Sequence, residues 1–385
     1  MYGISQKRIF IFVKSIDGGT GTFVLSLQKI PKYIKNEVLV KTFVVENPIY
    51  RTVKNESFEY CRSNSSSSPS KYAFSMDNIL AFFGNLVWYI RKVKDYDPDV
   101  IISVDIYCNI IVLIAKFSLF LRNNVIITTH NNLFDTLRLK GDSIVEWSVS
   151  KLVRLLYARA DYLVVVSKGI RESFQRKFKL RKNIRVIYYG LDQTHLTTRI
   201  GRKKQSENII LSIGRLDVQK DFLTLIRAFH SLNQKFGKTM LWIVGDGPQK
   251  REIEQLISEL KLNKKIKILG WRQNIYPFLK KAKVFVLSTN REGFGYVIIE
   301  AMSQGVPIIA TNVNYGPPEI LDNGKYGILV DKNDPLSLSR SMLKLMTNKG
   351  YYDSFKEKAK ERSKFFSEEK MLRSYAVLIN KLLLK

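Results

Sequence analysis

Cysteine is nearly absent: Cys61 and Cys108 are the two in 385 residues, far apart and at no metal or redox spacing. That excludes a disulfide-braced secreted domain and favours a reducing compartment. The chain also lacks an apolar run of the ~20 residues that a membrane-crossing helix needs. Its most apolar stretch, 106–121, is interrupted by Asn109, Lys116 and Ser118. It lies between two expected strands and reads as a buried crossover helix. The opening MYGISQKRIFIFV holds too short an apolar run for a signal peptide and reads as a first strand. Nucleic-acid signatures are missing as well: no zinc spacing, no RNP-type aromatic segment, no Lys/Arg-rich low-complexity tract. Only 10 prolines occur, in a composition that is otherwise globular.

Acidic residues are in deficit. Sixty-three Lys and Arg against 34 Asp and Glu give a formal charge of +29. Residues 1–199 carry 30 basic against 16 acidic groups and the remainder 33 against 18, so the excess is no basic tail. Such a chain suits an anionic surface, and without nucleic-acid motifs the expected partner is an acidic membrane leaflet. The stretch 171–185, RESFQRKFKLRKNIR, interleaves Arg176, Lys177, Lys179, Arg181 and Lys182 with Phe174 and Phe178. It reads either as a membrane contact or as a solvated helix end above two core phenylalanines. The length exceeds one ordinary core, so two domains are expected.

Strands and helices alternate throughout, the pattern of an α/β fold with parallel sheets. In the first half, a strand at 7–13 runs into Asp17-Gly18-Gly19-Thr20-Gly21 and a helix over 22–34, with further strands at 38–45, 100–104, 125–129, 162–166 and 185–189. The serine-rich segment 62–71 has nothing to bury and reads as a mobile loop. Asp97-Pro98-Asp99 has the D-x-D form by which many sugar transferases hold a divalent metal. It precedes a strand, however, whereas ligands of open α/β sheets bind at carboxyl strand ends, so it reads as a turn. His130 stands at such a carboxyl end and is a candidate ligand-bonding group. The polar, basic segment 193–208 reads as the linker, giving domains of 1–199 and 200–366, with a C-terminal helix at 367–385 as a candidate completion of the first.

The second half concentrates the chemistry. Its strand 209–213 ends in Gly214-Arg215-Leu216, and Lys220 opens the following helix. Arg215 as a bidentate donor and Lys220 as a point charge can both reach a diphosphate. A strand at 284–287 leads through Glu292-Gly293-Phe294-Gly295 into a helix ending at Gly305-Val306-Pro307. Gly293 and Gly295 let backbone N–H groups approach a phosphate, and the helix N-terminus favours negative charge. Glu292 and Glu300 flank that site. Carboxylates repel phosphate, so they suit sugar hydroxyls; the bland alternative is a solvated loop charge and an ordinary helix residue.

These pieces resemble glycosyltransferase family 4, the retaining, nucleotide-sugar-dependent transferases of the GT-B fold. The resemblance rests on Gly214-Arg215-Leu216 with Lys220, Gly245-Asp246-Gly247-Pro248, Glu292-Gly293-Phe294-Gly295 through Glu300-Ala301-Met302, Gly305-Val306-Pro307 and Gly316-Pro317-Pro318-Glu319-Ile320. It is specific over about 208–331 and thinner before, where Gly18-Gly19, His130, Ser167 and 186–192 match; Tyr189 stands where Asn is usual. The resemblance implies two Rossmann-like doubly wound domains facing a cleft, closing about 190–208. It makes Arg215, Lys220, Gly18, Gly19 and the N–H groups of Phe294, Gly295 and Tyr296 the donor-diphosphate contacts. Glu300 would hold ribose, Trp271 and Arg272 the nucleobase region, Glu292 a hydroxyl of the transferred sugar, with His130 nearby. No metal and no cofactor are expected; cations and amides would stabilise the leaving diphosphate. The expected activity is retaining transfer of a hexose or N-acetylhexosamine from a nucleotide donor, with UDP the expected carrier, to a lipid-linked or growing surface glycan. The expected location is cytoplasmic, peripheral at the inner face of the membrane. Two alternatives stay open: a sugar-nucleotide epimerase or phosphorylase on the same fold, and a non-catalytic basic protein binding membrane or nucleic acid. An NAD enzyme is disfavoured because no G-x-G-x-x-G with a well-placed acidic residue follows the first strand.

Overall fold

The computed structural model describes residues 6–46, 56–61, 76–119, 121–131, 144–192 and 208–384. The serine-rich segment and the linker 193–207 lie outside these. Two compact units are present, one of Met1–Tyr188 with Glu369–Lys385, the other of Tyr189–Glu368.

The first unit is built on seven parallel strands: β1 (Lys7–Val13), β2 (Val38–Val44), β3 (Phe58–Tyr60), β4 (Val100–Val104), β5 (Asn124–Thr129), β6 (Tyr162–Val165) and β7 (Ile184–Val186). Their order is β3-β2-β1-β4-β5-β6-β7. The direction of winding reverses between β1 and β4, which makes that pair the switch point of the sheet. Ile9 to Val13 are fully buried, as a strand covered on both faces requires. Phe10 stacks on Phe43 at 4.1 Å, and Tyr89 meets Phe10 edge-on at 5.8 Å. The helix Glu368–Leu383 returns to this unit: Tyr375 packs 5.6 Å from Phe23, and Asn124 Nδ2 donates to the Leu382 carbonyl at 3.1 Å.

The second unit repeats the plan with β8 (Asn208–Ile213), β9 (Thr239–Val244), β10 (Ile266–Ile268), β11 (Val284–Leu287), β12 (Ile308–Thr311) and β13 (Ile328–Val330). All are parallel, in the order β10-β9-β8-β11-β12-β13, with the switch point between β8 and β11. Two sheets wound this way are the Rossmann-like pair that the alternating sequence pattern predicts.

Local departures have local causes. The first helix begins at Gly18, before the expected Thr22, and ends at Leu27; Pro31 then sits in a single 3-10 turn, Ile30–Tyr33. Asp97 takes a positive φ of 45°, and Asp99 accepts from Lys7 Nζ at 2.9 Å and the Arg8 N–H at 2.8 Å. The D-x-D is thus a braced turn at the amino edge of the sheet. In the basic stretch 171–185, Phe174 and Phe178 point inward and are buried, while the cations between them are exposed. That stretch therefore has charge to offer a membrane but no apolar side chain from this pair. Among the described residues no helix is long and apolar enough to cross a membrane.

Candidate active site

Three loops are laid over one another at the carboxyl edge of the second sheet, and glycine permits the stacking. Gly245, after β9, has φ 153°, and a Cβ there would fall 1.9 Å from the Gly214 carbonyl oxygen. A Cβ on Gly247 would fall 2.5 Å from the Leu216 carbonyl oxygen. With side chains absent, the Leu216 N–H donates to the Asp246 carbonyl and the Gln249 N–H to the Leu216 carbonyl, both at 2.9 Å. The Gly245 N–H donates to the Gly270 carbonyl at 2.9 Å, which brings half-buried Trp271 and exposed Arg272 to the same edge.

The loops after β8 and β11 straddle the switch point and are stitched together. Ser288 Oγ donates to the carbonyls of Lys220 at 3.1 Å and Asp221 at 3.0 Å. Thr289 Oγ1 donates to the Gln219 carbonyl at 2.9 Å, and the Asn290 N–H donates there too at 2.8 Å. The result is an ion pair between Lys220 Nζ and Glu292 Oε2, with side chains only 17% and 11% exposed. The stem of Lys220 lies across Gly214, where a Cβ would stand 3.3 Å from its Cγ. Arg215, on the same loop, is well exposed and donates through Nε to Asp217 at 2.7 Å.

Next to this pair the helix Tyr296–Ser303 begins. Its N-cap is Gly295, at φ 96°, with no side chain to cap it. Among the described residues no backbone carbonyl accepts from the N–H groups of Gly295, Tyr296 or Val297. Orphan donors at a helix start form an anion-binding group. Gly316 backs this loop; a Cβ there would meet the Phe294 carbonyl oxygen at 2.3 Å. Phe294 is buried, with Tyr189 5.3 Å and Phe366 5.7 Å from its ring. Tyr189 also meets Tyr296 edge-on, so the residue that departs from the usual Asn is part of an aromatic cluster. The Tyr296 hydroxyl donates to the Gly190 carbonyl at 3.1 Å. Glu300 lies beyond: burial first, then the Glu300 charge, pushes the Tyr276 and Tyr296 phenols up, and Asp192 adds to it. Arg215, Lys220 and Glu292 thus stand on the two loops that straddle the switch point, and Glu300 lies in the helix that follows the second of them.

In the first unit, Gly18 and Gly19 are exposed at the start of the helix Gly18–Leu27, just past β1. Gly18 has φ 65° with open space where a Cβ would be. His130 follows β5, buried, with Nε2 3.0 Å from Thr128 Oγ1 and its ring 4.9 Å from Phe23. Burial holds its imidazole down at about 3, so it is neutral near pH 7 and offers hydrogen bonds rather than a mobile proton. Ser167 caps the helix Lys168–Lys177 by accepting from the Ile170 N–H at 3.3 Å. Among the described residues no group of three or more His, Cys, Asp or Glu side chains is gathered closely enough to hold a metal ion.

Two adjoining family models match the chain: "Glycosyltransferase Family 4" over residues 47–195 and "Glycosyl transferases group 1" over residues 196–362. The chain belongs to glycosyltransferase family 4. Among its relatives is the Campylobacter jejuni N-acetylgalactosamine-N,N'-diacetylbacillosaminyl-diphospho-undecaprenol 4-alpha-N-acetylgalactosaminyltransferase, 31% identical over 228 residues. That match spans 58% of this chain and 60% of the relative. Sucrose-phosphate synthase from Thermosynechococcus elongatus superposes with a TM-score of 0.80 at 18% identity, covering 98% of this chain and all of that one. Anabaena HepE, solved in complex with UDP and glucose, superposes at 0.76 and 18%, with the same coverage. These likenesses establish the GT-B fold.

Within this family member, several groups at the site escape motif reading. Ser288 and Thr289 hold the two loops in register, Asp217 engages Arg215, and Tyr276 with Asp192 surrounds Glu300. A hydroxyl pair directly after an apolar strand was the one signal for the first of these.

Proposed function

We propose that this chain is a retaining glycosyltransferase that moves a hexose or N-acetylhexosamine from a UDP-linked donor to a lipid-linked or growing surface glycan. The observation that carries the reading is the Lys220–Glu292 pair beside the uncapped helix start, at the switch point of one sheet. Lys220, Arg215 and the N–H groups of Gly295 and Tyr296 supply positive charge for a diphosphate without a metal. Glu292 orients Lys220 and, once the diphosphate draws that cation, accepts a hydroxyl of the donor sugar. Glu300 takes the ribose hydroxyls, Trp271 and Arg272 border the base, and Gly18 and Gly19 allow backbone to approach the phosphates. Neutral His130 hydrogen-bonds the sugar. In transfer, the bond from the anomeric carbon to the diphosphate oxygen breaks and the acceptor oxygen bonds to the same face. The acceptor proton passes to the departing phosphate. The diphospho-undecaprenol in the Campylobacter relative's name supports a lipid-linked acceptor, and HepE's UDP supports the base. The excess of basic residues supports work at the inner membrane surface.

The test is a thermal-shift screen of nucleotide-sugars followed by UDP release with polyprenyl-diphosphate-sugar acceptors. UDP should appear only with donor and acceptor together, resist EDTA, and fall roughly a hundredfold in Lys220→Gln. Interconversion of the donor without acceptor would indicate an epimerase instead. No shift and no release with any nucleotide-sugar would remove the proposal.

A further inference from the structure

Exposed apolar side chains are unevenly distributed. Among the described residues thirteen large hydrophobics are exposed, and seven of these lie on three helices of the first unit or directly after one. The helices are Met76–Tyr96, Ile106–Ser118 and Ile144–Tyr157, and the middle one packs against both others. On Ile144–Tyr157, Val153, Leu156 and Tyr157 fill the core, while Leu152 and Leu155 point the other way, 55% and 50% exposed. Phe117 and Leu119, at the end of the middle helix, continue the patch. Arg159 joins them to it, its guanidinium 5.0 Å over the Phe117 ring. Leu80, Phe83 and Val87 share one side of Met76–Tyr96, with exposed Arg91 and Lys94 further along the same helix.

The exposed charge on this face is mainly positive. Arg91, Lys94, Lys151, Arg154 and Arg159 are exposed against Asp95 at the end of the first helix, while Lys92 and Lys116 pair with Glu59 and Asp161. Single exposed leucines are ordinary, but a patch spread over neighbouring helices marks a surface that meets something. A symmetric second copy would set these cations against one another. An acidic leaflet instead satisfies both halves of the pattern, the cations at the headgroups and the leucines just below them.

We propose that this three-helix face docks on an anionic lipid bilayer, with Leu152 and Leu155 inserted and Arg154 and Arg159 against lipid phosphates. This rests on the lipid-linked acceptor proposed above, and it moves the membrane contact away from 171–185.

The experiment is flotation of the purified full chain with vesicles of phosphatidylcholine alone, or with about a third phosphatidylglycerol, at low and high salt. Wild type should float only with the anionic vesicles. Leu152→Glu with Leu155→Glu should weaken this roughly tenfold or more while keeping the wild-type melting temperature and transfer to a soluble acceptor. Leu336→Glu, at an exposed leucine of the second unit, should change nothing. Arg154→Ala with Arg159→Ala should weaken binding and flatten its salt dependence. If wild type ignores anionic vesicles, both this proposal and the membrane part of the functional reading fall. If wild type floats and the double-Leu variant floats equally, or if neutralising Arg176, Lys177 and Lys182 alone abolishes flotation, only this face is wrong. Dimerisation that the double-Leu variant loses, with flotation intact, would assign the face to a second copy and overturn the proposal.

Discussion

Asp105 is held at φ 77°, ψ 155°, directly after β4 at the switch point of the first sheet. Glycine alone occupies that region without strain, and the carboxylate does not cap the helix it precedes. Asp105→Gly should therefore raise the melting temperature, since relief of ~1–3 kcal/mol exceeds the added freedom of the unfolded chain. A fall in calorimetry would show that the carboxyl stabilises the fold. Burial pushes that carboxyl up to about 6, against an ordinary 3.8, with Lys14 pulling the other way. Its contribution to stability is present below 3.8 and lost as pH rises through 6. His130 acts oppositely: held at about 3 against an ordinary 6.5, it leaves stability whole above 6.5 and withdraws it as pH falls. His130→Gln should flatten the acid side of the melting curve between pH 6.5 and 4.5, removing a slope of up to about 1.4 kcal/mol per pH unit. Asp105→Asn should steepen it. Neither residue's state was legible in the sequence. A strand end marks His130 as a ligand group but says nothing of the Phe23 ring beside it that helps to keep it neutral, and Asp105 gave no signal because dihedral strain leaves none.

At the scale of elements the sequence was far more legible. Apolar runs placed seven of the eight strands named from the sequence to within one residue, because buried parallel strands need unbroken hydrophobic runs; the eighth, expected at 185–189, ends at Val186. Phe58–Tyr60, an edge strand of three residues beside a polar segment, is too short to carry a pattern. Glycines divided into two kinds that composition could not separate. Gly18 has a positive φ but faces open space, whereas a Cβ on Gly21 would fall 1.6 Å from the Ile16 carbonyl oxygen. Gly21→Ala should thus cost more than Gly18→Ala, which carries only the left-handed penalty of ~1–2 kcal/mol. Denaturant midpoints of the two variants decide this. Gly245→Ala and Gly247→Ala should likewise disrupt the stacked loops and abolish nucleotide-induced thermal shift. The Lys220–Glu292 pair was only half visible: each residue was picked out singly, but their contact depends on Ser288 and Thr289 drawing two distant loops together.

For the whole molecule, winding and sheet count followed from alternation, while the location of exposed apolar surface did not. Burial of Phe174 and Phe178 agrees with the second of the two readings of 171–185, and the exposure of Leu152 and Leu155 gave no signal, because which side of a helix faces the sheet is settled by packing. The return of Glu368–Leu383 to the first unit adds a testable dependence. Ending the chain after Glu368 would uncover Phe23 and leave Asn124 without its carbonyl partner. Calorimetry should then show the first unit melting earlier and the second unchanged. The same returning helix carries a consequence for biogenesis. The second unit intervenes entirely between the first sheet and the segment that covers it, so a chain leaving the ribosome exposes that sheet's flank throughout synthesis of the second. The unit translated first should be the last to acquire hydrogen-exchange protection, and a slowed ribosome should lengthen its dependence on chaperones.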